Sequence, residues 1–190
     1  VSAGSPGARR TGAALNVKRI RGSRRAAMAA GIPTTTGQAV LIDCGANAEC
    51  TPEYLVQFAY LGSYYAHRVL GVERPRVGLL NIGTEDSKGT DLQKETLRWL
   101  REAHTAGHLN FIGNIEAKEA IKGGCDVIVC DGFSGNVLLK TMEGGGSFAG
   151  SALKAMFKKN LLTKLAALCV MPGLNAFKAQ LDPKQQGGTA

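Results

Sequence analysis

The first 38 residues contain no acidic side chain, and the 190-residue chain has no Cys-x-x-Cys pair, few aromatic residues (6 %) and no long apolar run. Each absence removes a class of function. Without paired cysteines, and with His67, His104 and His108 in helix or loop without ligand spacing, no metal held by Cys or His is expected. The five cysteines are odd in number, and Cys125 and Cys130 stand at the two ends of one predicted strand, so they read as reduced thiols, not disulfides. No apolar run reaches the roughly 20 residues of a membrane span, and the start lacks a signal-peptide layout. The expected location is the cytoplasm. The basic stretches carry few interleaved aromatics and no nucleic-acid motif, so nucleic acid is not the expected partner. The ends, Val1 without a preceding Met and Gln186 to Ala190, suggest a piece of a longer protein.

What is present is a chain with 44 % hydrophobic residues, enough for a packed core, and an uneven charge. Residues 1–38 hold seven Lys/Arg, residues 39–153 hold ten against fourteen acids, and residues 154–190 hold six against one. Three parts follow from this. Residues 1–38 read as a basic, irregular Gly/Ala/Arg-rich segment, 39–153 as an α/β catalytic core, and 154–190 as a basic amphipathic helical segment. Neither internal repeats nor low-complexity tracts occur. The basic ends suit an anionic lipid surface or an acidic protein partner.

Within the core, apolar β-branched runs alternate with helical patterns. Strands are expected at Val40–Asp43, Arg76–Ile82, Phe111–Ile112 and Asp126–Cys130, and helices at Pro52–Leu70, Asp91–His104 and Glu116–Ile121. A long helix is expected to open at Asn136, weakened or broken at Gly144, Gly145 and Gly146. This alternation makes a three-layer α/β/α sandwich with a mostly parallel sheet, and in such sheets ligands bind beyond the carboxyl ends of the strands. Four clusters of Gly, Asn, Asp or Glu fall at those ends: Asp43–Asn47, Asn81–Gly89, Gly113–Glu116 and Asp131–Asn136.

Two residues in these clusters suit catalysis. Asn136, at an expected helix start after a glycine-rich turn, could cap the helix or donate to a carbonyl oxygen, and the helix end could hold an anion. Lys88 could neutralise a phosphate or a developing oxyanion, or be an ordinary solvated lysine. Gly-x-Gly-x-x-Gly does not follow the first strand, no P-loop sequence is present, and Gly132-Phe133-Ser134-Gly135 has the wrong spacing for a nucleophile elbow. The reading is chemistry without a protein nucleophile and without NAD, ATP or any other cofactor.

Several segments, in order and spacing, resemble the bacterial phosphate acyltransferase (PlsX) family of phospholipid synthesis. They are Val1–Gly4, Lys18–Gly22, Ile32–Thr34, Leu41–Asn47, Arg76–Glu85, Asn110–Asn114 and Asp131–Val137. The match runs over essentially the whole chain. It implies transfer of an acyl group from acyl-acyl carrier protein to inorganic phosphate, on an isocitrate/isopropylmalate dehydrogenase-like fold used as a homodimer without nicotinamide. By this resemblance Lys88 and Asn136 are the catalytic pair, and Asn47, Asn81, Thr84, Asn114 and Gly135 are substrate-binding candidates. The resemblance further implies peripheral contact with an anionic membrane through Leu161, Leu162, Leu165, Leu168 and Met171, with the acyl carrier protein as partner.

Departures from the family pattern lie at Gly4-Ser5-Pro6-Gly7, where Asn-Thr is usual, and at Arg9-Arg10, which replace apolar residues. The family also extends before Val1 and beyond Gly187-Gly188, so this piece is expected to be inactive alone. Two other readings are a phosphate acetyltransferase-like enzyme using a coenzyme A thioester and an inactive membrane-associated fragment.

Overall fold

The computed structural model describes residues 25–160 together with Leu162, Thr163, Ala166, Ala167, Val170, Pro172 and Gly173. Five strands, β1 (Ala29–Thr34), β2 (Gly37–Ile42), β3 (Arg76–Leu80), β4 (Asn110–Ile115) and β5 (Val127–Val129), form one sheet in the order β1-β2-β5-β3-β4. β1 pairs antiparallel with β2, and the remaining pairs are parallel. The helices are α1 (Pro52–Val69), α2 (Asp91–Thr105), α3 (Ala117–Ile121) and α4 (Gly132–Phe157). The fold is α/β with a mixed, mostly parallel sheet, as the alternation of elements predicts.

Local sequence explains the helices that face the sheet. Pro52 at the first turn of α1 follows Thr51 in extended conformation, and Leu55, Phe58, Ala59, Gly62 and Ala66 repeat at helical spacing and are buried. Burying Phe58 alone contributes about 2–3 kcal/mol. Gly62 allows the close approach: a Cβ there would stand 2.5 Å from Val127 Cγ1 and 3.1 Å from Ile42 Cγ2. α2 opens with a reciprocal cap between Thr90 and Gln93 and buries Thr96, Leu97 and Leu100. Leu55, Phe58, Ala59, Ala66, Leu97 and Leu100, with Val40, Val77, Leu79, Phe111 and Val129, form one core between the sheet and α1 and α2.

The crossover from β4 to β5 runs back across the sheet, opposite to those from β2 to β3 and β3 to β4. A right-handed connection therefore puts α3 on the other face. There Ile115 covers Gly78, and a Cβ on Gly124 would press on the Glu119 carbonyl at 2.9 Å and on Ile115. With both faces covered, Val127, Ile128 and Val129 are all fully buried.

At the amino ends of β3 and β5, Arg76 staples the strands together. Asp126 accepts from the Arg76 backbone N–H (2.8 Å), Nε (3.1 Å) and Nη2 (2.9 Å), and the guanidinium also reaches the Gly123 and Gly124 carbonyls. Burial opposes ionisation of Asp126, but the Arg76 hydrogen bonds and charge outweigh it and hold the carboxyl below its usual range.

Three expectations are corrected. Ala29–Thr34, within the segment read as irregular, is a strand, because pairing with β2 supplies what its Ala-, Gly- and Pro-rich sequence lacks. α4 begins at Gly132, not Asn136. It also continues through Gly144–Gly146, where an added Cβ would meet nothing within 4 Å, and ends at Phe157, past the boundary drawn after residue 153. The packing of the described residues divides between Asn136 and Val137. In the second unit Asn160 and Thr163 cap each other, the Asn160 Oδ1 accepting from the Thr163 N–H at 2.8 Å and the Thr163 Oγ1 from the Asn160 N–H at 3.0 Å. Leu162 is 80 % exposed; Leu161, Leu165, Leu168 and Met171 lie outside the described residues. Among the described residues, no helix is long and apolar enough to cross a membrane.

Candidate active site

The loops after β2, β3, β4 and β5 leave the sheet at one edge, because these four strands are parallel. β2, β5 and β3 are consecutive neighbours, so the loops carrying Asn47, Asn136 and Lys88 start from adjacent strands.

The loop after β2 is built around Asp43, which is fully buried. Its Oδ1 accepts from the backbone N–H groups of Met28 (3.0 Å), Gly45 (3.2 Å) and Ala46 (3.0 Å). Its Oδ2 accepts from the Asn47 N–H (2.7 Å) and Nδ2 (2.8 Å). A carboxylate with this many donors organises a loop, since each donor offsets part of its desolvation. Asn47 Nδ2 also donates to the Ala26 carbonyl at 2.8 Å. Both amide hydrogens of Asn47 are thereby engaged in holding the loop.

α4 starts against this loop. Asp131 caps it, Oδ1 accepting from the Ser134 N–H and Oδ2 from Ser134 Oγ, each at 2.8 Å, while the Gly132 N–H donates to the Asn47 carbonyl at 2.8 Å. Gly132 and Gly135 form the face that touches the loop. A Cβ on Gly132 would stand 2.6 Å from the Asn47 oxygen, and one on Gly135 only 1.9 Å from the Asp43 oxygen. Gly135 is buried and serves this approach. Asn136 is exposed one turn into the helix, with its Oδ1 3.6 Å from the position of a Cβ on Gly45. Among the described residues its side-chain amide has no hydrogen-bond partner, so its donor remains available.

Lys88 is set by a second group. Its N–H donates to the Glu85 carbonyl (3.1 Å) and its own carbonyl accepts from Asn81 Nδ2 (3.1 Å), while Asn81 Oδ1 accepts from the Ile82 N–H (2.8 Å). Asn114 Nδ2 donates to the same Glu85 carbonyl at 3.0 Å. Asp86 is bound by both Nη atoms of Arg101 on α2. Gly83 and Gly89 make room: a Cβ on Gly83 would stand 3.0 Å from Lys88 Cγ, and Gly89 has φ +86° with the Asn81 amide against it. Lys88 and Thr84 are exposed, and the Lys88 ammonium has no partner among the described residues.

Of the sequence-predicted residues, Lys88, Thr84 and Asn136 present free polar ends at this edge. Asn47, Asn81, Asn114 and Gly135 are engaged in building it. Asp43 and Asp131 were missed as organisers; the signal for Asp131 was its position three residues before Ser134. Burial pushes Cys50 up to about 11 and Cys125 up to about 12, and it raises the buried Cys130 well above the ordinary thiol value, so none of these three is a ready nucleophile. Among the described residues, Cys44, Cys50, Cys125 and Cys130 take part in no disulfide.

All 190 residues match the family model described as fatty acid synthesis protein. The chain belongs to the fatty acid synthesis protein family. Family members similar to it include proteins named phosphate acyltransferase from Brevibacillus brevis and Alkaliphilus oremlandii. Each is 48 % identical, over 99 % of this chain and 55 % of the relative. The chain thus spans about half the length of the curated relatives it matches. Among solved structures, the EutD phosphotransacetylase from Staphylococcus aureus superposes with a TM-score of 0.55 at 19 % identity, covering 71 % of this chain and 46 % of that one. A phosphotransacetylase from Streptococcus pyogenes gives 0.50 at 21 %, covering 66 % and 43 %. These structural likenesses speak to the fold. The family assignment agrees with the motifs read from the sequence.

Proposed function

We propose that the protein transfers an acyl group from acyl-acyl carrier protein to inorganic phosphate, giving acyl phosphate for phospholipid synthesis. The observation that carries the reading is Lys88: a cation whose head has no partner among the described residues, its backbone fixed on both sides, at the carboxyl edge of the sheet in a chain 48 % identical to phosphate acyltransferases. A phosphate oxygen attacks the thioester carbon, the carbonyl becomes an oxyanion, and the C–S bond then breaks. The proton of hydrogen phosphate passes to the leaving thiolate, so the step balances without a protein nucleophile or cofactor.

In this reading Lys88, with Thr84 of the same loop, orients phosphate and offsets its charge, and the Asn136 amide donates to the oxyanion. Fixed donors lower such a barrier because they need no reorganisation as charge develops. The acidic carrier protein complements the basic stretches of the chain. A homodimer, and peripheral contact of the Leu161–Met171 segment with the inner face of an anionic membrane, complete the proposal. Release of thiol from the acyl donor tests it. The full-length protein is expected to free the carrier-protein thiol from acyl-acyl carrier protein only when phosphate is present. Phosphate-dependent thiol release from acetyl-coenzyme A and not from the carrier-protein thioester would move the assignment to a phosphate acetyltransferase.

A further inference from the structure

Asn114 is 8 % exposed, and its Oδ1 is fully enclosed with no hydrogen-bond partner, while its Nδ2 donates to the Glu85 carbonyl at 3.0 Å. Among the described residues it is the sole side chain with such an orphaned atom. An enclosed amide using one of its two polar groups is unfavourable for stability, because the unpaired oxygen has lost water and gained nothing. The position pairs with Leu79, a residue of the apolar core, in the register of β3 and β4.

The backbone goes out of its way to place this amide. The register shifts between Val77 and Gly78, and Gly113 adopts φ +101°, so that Asn114 follows directly on an irregularity in β4. Such bulges re-aim side chains beside functional sites. What the amide reaches is the Glu85 carbonyl, the same oxygen that takes the Lys88 N–H at 3.1 Å. Asn81 holds the other side of Lys88 through its carbonyl. Two asparagines at the ends of neighbouring strands thus clamp the peptide units around one lysine.

We propose that Asn114 is a positioning residue that sets the Lys88 ammonium through the Glu85 carbonyl, without itself touching substrate, and that it is kept despite its cost in stability. The proposal rests on the reading of Lys88 as the phosphate-orienting group. Because it acts through Lys88, removing it should weaken the use of phosphate and leave the acyl donor's binding alone.

The test is steady-state thiol release by the full-length protein carrying Asn114→Leu, Asn114→Asp, Lys88→Ala and the double variant Lys88→Ala/Asn114→Leu. Asn114→Leu is expected to unfold at no lower urea concentration than the parent, yet to raise KM for phosphate about tenfold with an unchanged KM for the acyl donor. In the Lys88→Ala background the same change should have no further effect. Asn114→Asp adds a readout that loss of fold cannot mimic. Its carboxylate repels the Glu85 carbonyl, but once protonated it donates to that oxygen again, so its phosphate KM should approach the parent value as pH falls from 8 to 6. Burial raises such a carboxyl into that range.

An unchanged phosphate KM in Asn114→Leu, equal losses toward both substrates with reduced stability, or a pH-independent KM ratio for Asn114→Asp would each overturn the proposal. Full activity of Lys88→Ala would instead sink the reading of Lys88 on which it rests, so the two failures are separable.

Discussion

Replacing Gly135 with alanine should be among the most damaging single-methyl changes in this protein. The new Cβ would lie 1.9 Å from the Asp43 carbonyl oxygen and 2.8 Å from Cys130 Sγ. A relaxed contact of about 3.3 Å requires α4 and the loop after β2 to separate by roughly 1.4 Å, and interiors packed at crystal density do not yield by that much without loss. The group that must move is the main chain of Asp43, whose carboxylate organises the loop through Met28, Gly45, Ala46 and Asn47. Overpacking costs about 1–3 kcal/mol, and losing one of the loop's hydrogen bonds adds about 1 kcal/mol, so a total near 3 kcal/mol is expected. With a urea m-value of about 2 kcal/mol/M, the unfolding midpoint should fall by about 1.5 M. Gly144→Ala is the control: its Cβ meets nothing within 4 Å, and the change should leave stability equal or raise it by up to about 1 kcal/mol. A Gly135→Ala protein within about 0.5 kcal/mol of the parent would refute the close packing of α4 on the Asp43 loop.

Other consequences can be measured alongside. Because Arg76 holds the Asp126 carboxyl below its usual range, the unfolded chain binds a proton more readily. The stabilisation is present above the ordinary carboxylate value near 4 and is lost as pH falls through the folded value. Asp126→Asn should therefore be about 1 kcal/mol less stable than the parent at pH 7, allowing for the partly exposed Arg76. That gap should narrow as pH falls below about 4, and a gap that widens in acid would contradict the sign. Cys125 and Cys130 are buried as thiols and should resist a thiol reagent at pH 8 until urea is added; rapid labelling of either in the native protein would count against their placement. If Leu162 enters a lipid surface, Leu162→Glu should weaken flotation with anionic vesicles about tenfold or more, since burying a leucine is worth about 1.5–3 kcal/mol. Equal flotation of both proteins would remove this residue from the membrane contact.

Much of the fold was legible because β-branched runs ending in Gly, Asn or Asp are strong signals for buried parallel strands, as at Leu41-Ile42 and Val127-Ile128-Val129. α1 and α2 announced themselves through Pro52 and the leucine spacing. β1 was not legible: Ala29, Ala30, Gly31 and Pro33 have poor strand propensity, and the strand exists through its pairing with β2 at the sheet edge, where a proline is tolerated. β4 looked shorter than it is because Gly113 to Glu116 read as a polar cluster past the strand's end, whereas the strand continues through a bulge.

The start of α4 was misplaced for a related reason. Gly132 and Gly135 suggested a turn, but their role is to let a helix lie on the Asp43 loop, a contact spanning some 90 residues of sequence that no local pattern reports. The same holds for the asparagines. Composition marked Asn47, Asn81 and Asn114 as polar groups at the strand ends, but which of their atoms are consumed depends on partners such as Ala26 and Glu85 that only the fold brings near. Lys88 and Asn136 were singled out because charge and amide at strand ends suit anion and carbonyl chemistry. That their heads have no partner among the described residues while their surroundings are tied down is a property of the tertiary structure.

The most direct measurement of the central claim is thiol release from acyl-acyl carrier protein by the full-length protein at increasing phosphate, for the parent, Lys88→Ala and Asn136→Ala. The account predicts saturable dependence on phosphate in the parent. Lys88→Ala and Asn136→Ala should each lower kcat/KM by about a hundredfold or more, as loss of a fixed oxyanion donor does elsewhere. Thiol release that is independent of phosphate, or undiminished in both variants, would contradict it.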